Sequence, residues 1–233
     1  MTVAKVYYYS ATGKGHQIRL ALAAADIEFE DVFPTCGYPP SEEQVLEWRN
    51  LGKNTTTNVP MLEMPDGKVY TQSFAVMKAI GRFGNLLPSC DDDLYKTDKL
   101  MADCEDFRSL SYKSFMIWGA PKEVYEKFIY ERMPVHFENF QRQLLQNSNG
   151  DGGYFVVKDR LTLADVAVYD AIVNYGVNRA PSDCLDKFPQ LAQWVKLVET
   201  HPRISSYLKS EQFAKIEIKF SRPEFIDNDS EKS

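Results

Sequence analysis

The chain has 233 residues, 44% of them apolar, enough to bury a sizeable core in one or two domains and too apolar for wholesale disorder. Its 33 acidic and 27 basic side chains leave a net charge of −6, which argues against non-specific binding to nucleic acid. No apolar run approaches the roughly 18 residues of a membrane span, and MTVAKVYYYS has no apolar core behind a basic flank, so a soluble, cytoplasmic protein with no membrane partner is expected.

Residues 4–9 (AKVYYY) are β-formers and predict a first strand, which runs into the turn-prone SATGKG. The spacing of Ile18, Leu20, Leu22 and Ala23 then suits a helix better than a strand. A second short strand is placed at 27–33, ended by Pro34 and the CGYPPS cluster. Residues 41–51 (SEEQVLEWRNL) read as a short helix with Ser41 as N-cap and two acids in its first turn. After the polar KNTTTN, the segments VPMLEM, PDG and KVYT form a strand, a tight turn and a strand, together a hairpin. Gln72 and Ser73 precede FAVMKAIGRF, an amphipathic helix ending near Gly84.

The order through residue 84 is thus β-α-β-α-β-β-α, and residues 85–93, with a proline and acids, form a linker. Helical patterns follow at 94–118, 122–146, 162–175 and 188–200, with a short helical turn at 203–208. An α/β domain (1–84) therefore precedes an all-α helical bundle (94–215), and 216–233 is expected to be a C-terminal tail.

Cys36, Cys90, Cys104 and Cys184 form no CxxC unit and lack histidines at zinc spacing, so reduced thiols and no metal site are expected. His136 and His201 stand alone and are expected at the surface. Pro60 at the start of a strand fits an edge or bulge, or a cis Val59–Pro60 bond that presents the Val59 amide and carbonyl to a peptide-like ligand. Ser73 would cap its helix, whose N-terminus also attracts carboxylates. Thr162 and Asp165 in LTLAD have capping-box spacing, a structural role. Tyr7, Tyr8 and Tyr9 end the first strand, where alternation sends Tyr8 to one face and its neighbours to the other. A tyrosine there is either a packing residue or a hydrogen-bond donor to a thiolate, since a phenol of pKa about 10 stays protonated at neutral pH.

In order, these pieces resemble the cytosolic glutathione transferases, most closely the sigma class that includes the haematopoietic prostaglandin D synthases. The family's Tyr-Phe-Asn-x-Arg-Gly-Arg-Ala-Glu-x-Ile-Arg stands here as YYSATGKGHQIR, from Tyr8 to Arg19. Its Gln/Lys-x-Pro-x-Leu-Glu is NVPMLE, its Gln-Ser-x-Ala-Ile is QSFAV, and its Ser/Thr-x-Ala-Asp is TLAD, ending at Asp165. The resemblance implies a thioredoxin-like first domain and glutathione as co-substrate. Tyr8 would donate to the glutathione sulfur, and Lys14 would stand where a family arginine helps stabilise the thiolate. Trp48 and Lys53 would contact the glycyl end, Val59 with Pro60 the cysteinyl unit, and Gln72 and Ser73 the γ-glutamyl carboxylate. Asp106 would reach the γ-glutamyl amine of the neighbouring subunit in a homodimer.

Thr12, Lys14 and His16 replace the family's two arginines and its glutamate, and Thr57 stands where a small glycine is usual. The implied activity is conjugation of the thiolate to a small hydrophobic electrophile, a detoxification chemistry. The pocket for that electrophile would draw on Phe107, Leu110, Phe115 and Trp118. Two alternatives remain: a glutathione-dependent isomerase or lyase of one metabolite, and a non-catalytic, crystallin-like relative. Should Tyr8 not serve the thiolate, Ser10 is the next hydroxyl in line.

Overall fold

Parallel neighbouring strands cannot be joined by a tight turn, so a crossover must lie between them. Here β1 (Ala4–Tyr7) and β2 (Phe29–Val32) are parallel, Ala4 opposite Phe29 and Tyr7 opposite Val32, and α1 (Gly13–Ala24) is the crossover. β3 (Met61–Glu63) runs antiparallel to β1 and to β4 (Val69–Thr71), with Gly67 at φ 82° in the turn between β3 and β4. The strand order is β2-β1-β3-β4, and α2 (Ser73–Phe83) follows β4. This is the thioredoxin-like arrangement that the resemblance implied. The computed structural model describes residues 3–33, 43, 46–48, 59–116, 119–148 and 152–223. Most of the helix expected at 41–51 lies outside them.

Ala4 and Val6 are fully buried, as are Ile18, Leu20 and Leu22 of α1. Tyr7 packs instead with Trp48 and Met61, joined by Val32, Val59 and Val69. Tyr7 also donates to Glu63 Oε2 at 2.6 Å, so its polar end is satisfied.

The chain divides into two compact units, Met1–Leu87 with His201–Lys219, and Pro88–Thr200 with Phe220–Ser233. The sequence reading put 201–215 with the helical bundle and 216–233 in a tail, whereas His201–Lys219 joins the sheet-bearing unit. There α8 (Pro202–Leu208) is tied to the end of α1: Arg203 Nη1 donates to the Ala24 carbonyl at 2.9 Å and Nη2 to Asp26 Oδ2 at 3.1 Å. Helical periodicity marked residues 203–208 as helical but carries no information on which unit they cover.

The second unit opens with α3 (Asp91–Lys113), whose first turn holds Asp91, Asp92 and Asp93 and whose last holds Lys113, matching the helix dipole. The helix expected at 122–146 is instead α4 (Lys122–Lys127), a wider π turn (Phe128–Arg132) and α5 (Met133–Ser148). Pro134 has no N–H to continue the ladder and its ring crowds the preceding turn, which the wider turn relieves. The pattern expected at 162–175 is likewise α6 (Leu163–Tyr169) followed by a π turn (Asp170–Asn174), where Arg108 Nη2 takes the Ala167 carbonyl at 2.9 Å. α7 (Pro189–Thr200) completes the bundle, with Trp194 buried.

The capping box is present as expected. Asp165 is fully buried and accepts from the Thr162 N–H and hydroxyl, the Phe155 N–H and Trp194 Nε1–H, at 2.7–3.1 Å. One carboxylate thus fixes the start of α6, the loop before it and the indole of α7. Asp165→Ala orphans four buried donors and should lower the unfolding free energy by about 3 kcal/mol or more, read as a fall in urea midpoint at unchanged m-value.

Candidate functional site

Strand register assembles the site. Tyr7 lies opposite Met61, and Met61 opposite Thr71. One step beyond the ladder, Tyr8, Pro60 and Gln72 therefore share one end of the sheet, although residues 8 and 72 are far apart in sequence. Val59–Pro60 is cis, the one of the two sequence readings that fits the family resemblance.

Tyr8 is buried, and its phenol oxygen accepts the backbone N–H of Lys14 at 3.0 Å. A phenol has one donor hydrogen and two lone pairs. Accepting that N–H occupies a lone pair, and the hydroxyl hydrogen is the donor function of the group. Two glycines of the loop abut the ring. A Cβ on Gly13 would lie 2.5 Å from the Tyr8 hydroxyl, and Gly13 has φ 37°, a conformation that side chains disfavour. A Cβ on Gly15 would collide with the ring carbons. Gly15 stands where the family motif places alanine, so the missing methyl makes room for Tyr8. Tyr9 departs from the expected alternation: beyond the end of β1 its ring lies 4.9 Å from that of Tyr8.

The loop is held by Arg19, which sequence reading passed over as the last letter of a motif. Its side chain is fully buried; Nε donates to Asp31 Oδ1 at 2.6 Å, Nη1 to the Ala11 carbonyl at 2.7 Å and Nη2 to the Tyr9 carbonyl at 3.2 Å. The guanidinium also lies 5.7 Å from the Tyr8 ring centroid.

Gln72 is exposed, with φ 67° and ψ 106°, and it precedes α2. Non-glycine residues rarely hold such a φ, and when held it concentrates at ligand sites. Ser73 is buried as the first residue of α2, so it is not the N-cap that the sequence suggested; Gln72 occupies that position without a side-chain cap bond. Trp48 is buried, edge-on to Tyr7 at 5.6 Å. Val59 is half-buried beside it. Lys53 and Thr57 lie outside the described residues.

Asp106 belongs to the second unit, exposed on α3 in a groove shared with Asp103, His136 and Gln143. Phe107 is a core residue rather than a pocket wall, ringed by Phe128, His136, Phe137 and Phe140. Phe115 is buried under the Arg179 guanidinium, 3.7 Å from its ring centroid, Leu110 is half-buried, and Trp118 lies outside the described residues. His136 and His201, expected at the surface, are both half-buried, and burial lowers the pKa of each.

Cys90, Cys104 and Cys184 are free thiols, and burial pushes Cys104 up to about 12 and Cys184 to about 11. Among the described residues no group of three or more His, Cys, Asp or Glu could hold a metal ion, and no helix is long and apolar enough to cross a membrane.

Residues 4–82 match the family model "Glutathione S-transferase, N-terminal domain" and residues 105–211 match "Glutathione S-transferase, C-terminal domain". Glutathione S-transferase Mu 3 of Homo sapiens is 28% identical over 214 residues, covering 91% of this chain and 90% of that protein. The glutathione S-transferase class-mu 28 kDa isozyme of Schistosoma japonicum is 26% identical, covering 88% and 96%. In fold, the Pi-class glutathione S-transferase of Onchocerca volvulus superposes with a TM-score of 0.79 at 21% identity, covering 94% of this chain and 98% of that one. Prostaglandin synthase D of Nilaparvata lugens gives 0.70 at 23%, covering 90% and 98%. These curated relatives carry mu-class names and the similar structures a Pi-class name and a prostaglandin synthase name, so together they support the family and do not single out the sigma class suggested by the motifs.

Gly13→Ala should strain the loop and displace the Tyr8 hydroxyl. Urea unfolding should register a loss of about 1–2 kcal/mol, with a changed tyrosine titration in the ultraviolet. His16, buried and stacked on Phe213 at 5.4 Å, gives a second expectation. Burial, then Arg19 and Lys219, lower its pKa from 6.5 to about 3, so the folded protein holds it neutral while the unfolded chain protonates below 6.5. Its contribution is intact above 6.5 and is lost as pH falls toward 3. Over that window the protein should lose up to about 1.4 kcal/mol per pH unit more than His16→Leu, measured as the difference between their urea-unfolding free energies.

Proposed function

The chain belongs to the glutathione S-transferase family, and on that premise we propose that it conjugates the thiolate of glutathione to a small hydrophobic electrophile. The observation that carries this reading is that Tyr8, cis Pro60 and Gln72 share one end of the sheet. The Tyr8 phenol thus lies at the same end of the sheet as a strand start able to pair with a peptide and a helix N-terminus able to take a carboxylate.

In this reading the Val59 backbone, just before the start of β3, pairs with the cysteinyl unit. Gln72, Ser73 and the first amides of α2 hold the γ-glutamyl carboxylate, a charge-assisted contact at the positive end of the helix. Trp48 and Lys53 serve the glycyl end. In the proposed cytoplasmic homodimer, Asp106 of the partner subunit meets the γ-glutamyl ammonium.

The sulfur then lies with Tyr8. A free thiol has a pKa of about 8.5, and lowering it by about two units needs roughly 2.7 kcal/mol in favour of the thiolate. A charge-assisted bond from Tyr8 supplies about 1.5–3 kcal/mol. The Lys14 N–H at the phenol oxygen polarises the O–H and strengthens that donation. The Lys14 ammonium adds a smaller, distance-dependent share. The thiolate attacks the electrophilic carbon; where that carbon bears a halide, the new C–S bond forms as halide leaves. The YYSATGKGHQIR segment resembles the sigma class and the relatives carry mu-class names, and this chemistry requires neither subclass in particular.

Tyr8→Phe should raise the pKa of the bound thiol and cut turnover of an aryl halide at about pH 6.5 by roughly ten- to hundredfold, equivalent to about 1.4–2.7 kcal/mol. The deficit should shrink as pH rises, with glutathione affinity little changed. Tyr7→Phe, whose hydroxyl is engaged by Glu63, should affect stability and leave the pH profile alone. Undiminished activity of Tyr8→Phe at that pH would rule the reading out. Turnover confined to one metabolite in a substrate panel would favour an isomerase or lyase, and no turnover at all a non-catalytic relative.

A further inference from the structure

The loop between β1 and α1 carries the groups that surround Tyr8. Arg19 holds its inner side through the carbonyls of Tyr9 and Ala11. The outer side is held from the far end of the chain. Ala11 and Ile218 form an isolated parallel bridge, in which the Ile218 N–H donates to the Ser10 carbonyl at 2.9 Å and the Thr12 N–H donates to the Ile218 carbonyl at 2.8 Å. The Ser10 hydroxyl completes a clasp, accepting the Glu217 N–H at 3.1 Å and donating to the Lys215 carbonyl at 3.3 Å. Its donor and acceptor functions are both engaged there, which argues against Ser10 as the group that meets a thiolate.

The strap is itself anchored. Ile216 is buried, and Lys219 Nζ donates to the Ile216 carbonyl at 2.8 Å while lying 5.0 Å from the Phe213 ring centroid. Gln212, in α9 (Glu211–Ala214), donates to the Phe29 carbonyl at 3.2 Å and to Asp31 Oδ2 at 3.1 Å. Asp31 is the carboxylate that Arg19 binds. Two routes therefore connect the C-terminal strap to the loop, one through Asp31 and Arg19 and one directly onto Ser10. Only three residues separate Ser10 from Lys14, whose N–H must reach the Tyr8 oxygen. Residues 10–12 lead into that contact through Gly13, where a side chain has no room: a Cβ there would lie 2.5 Å from the Tyr8 hydroxyl.

We propose that Ser10 is a positioning residue for thiolate formation: clasped by residues 215–218, it fixes the loop so that the Lys14 N–H meets the Tyr8 phenol. The proposal rests on Tyr8 as the thiolate's donor. It makes the C-terminal strap, distant in sequence, part of the activation apparatus.

The test compares full-length wild type, Ser10→Ala, Ser10→Thr, Ile218→Pro and Tyr8→Phe. Each is measured by ultraviolet titration of the bound glutathione thiol and by the pH profile of kcat/KM with an aryl halide. Ser10→Ala and Ile218→Pro, which lacks the N–H given to Ser10, should raise the thiol pKa and lower turnover at about pH 6.5 by roughly three- to tenfold. The deficit should close at high pH, the KM for glutathione should stay within about twofold, and Ser10→Thr should restore the profile. If Ile218→Pro does not fold, Glu217→Pro, which removes the N–H given to the Ser10 hydroxyl, takes its place. A wild-type profile in Ser10→Ala beside an impaired Tyr8→Phe overturns the clasp alone, whatever the change in Tm. A Ser10→Ala loss as large as that of Tyr8→Phe, with the proline variant unimpaired, overturns it in favour of Ser10 as direct donor. An unchanged profile in Tyr8→Phe overturns the assignment of Tyr8, and the clasp with it.

Discussion

A guanidinium taken wholly out of water must have its charge balanced and its donors met, or it costs several kcal/mol. Arg19 meets that requirement in one geometry: the carboxylate of Asp31 on β2 and the carbonyls of Tyr9 and Ala11. The requirement acts in both directions. The arginine is tolerable only if the turn after β1 offers two carbonyls inward, and the turn can offer them only if something replaces the water they lose. A lysine would supply charge without the planar fork that spans three acceptors on two segments. The shape of the loop, and with it the place of the Tyr8 hydroxyl, follows from that pairing.

The second unit uses the same device with different partners. Arg108 is buried between Asp170 and the Ala167 carbonyl. Arg179 meets the carbonyls of Ser111 and Ser114 and both hydroxyls, at the negative end of the long helix α3, and the face of Phe115. Burial still pulls its pKa down to about 10, so it remains a cation at neutral pH. Buried charges of this kind add less to stability than to uniqueness, since misplacing either partner leaves a charge unmet. Two of them stand where a segment ends, after β1 and after α3, and the third at the π turn that follows α6.

What was legible in the sequence divides along that line. The order of the described strands and helices of the first unit and the capping box depend on residues close together, and local chemistry announces them. The cis proline was expected through the family resemblance. The candidate site was legible in part, because Tyr8, Pro60 and Gln72 were each found by motif while their alignment comes from strand register, which no motif spells out. The break at Pro134 follows from local rules and passed unused, because the apolar period on either side continued through it. The membership of His201–Lys219 in the sheet-bearing unit, and the bonds of Ile218 to the loop, link residues about two hundred positions apart. No periodicity reports such a contact. The Gly13 and Gly15 contacts lie between: the sequence shows small residues, and only the packed ring of Tyr8 shows why.

The loop's departures from the family pattern look at first like losses of function, since an arginine becomes Lys14, another becomes Thr12, and a glutamate becomes His16. The geometry weighs them unequally. Lys14 reaches the Tyr8 oxygen with its backbone N–H, which any residue except proline supplies, so that contact is indifferent to the side chain. Thr12 likewise bonds to the strap through its N–H, while its hydroxyl is buried without a partner among the described contacts. His16 replaces a charge with a ring that burial keeps neutral, stacked on Phe213 of the strap. Arg19 and Lys219 both act on that position, and a neutral ring adds no further cation beside them. The substitutions thus move the loop's support from side-chain charge to backbone pairing and aromatic packing, both of which converge on the C-terminal strap. A loop supported in that way can lose its arginines and keep the phenol in place.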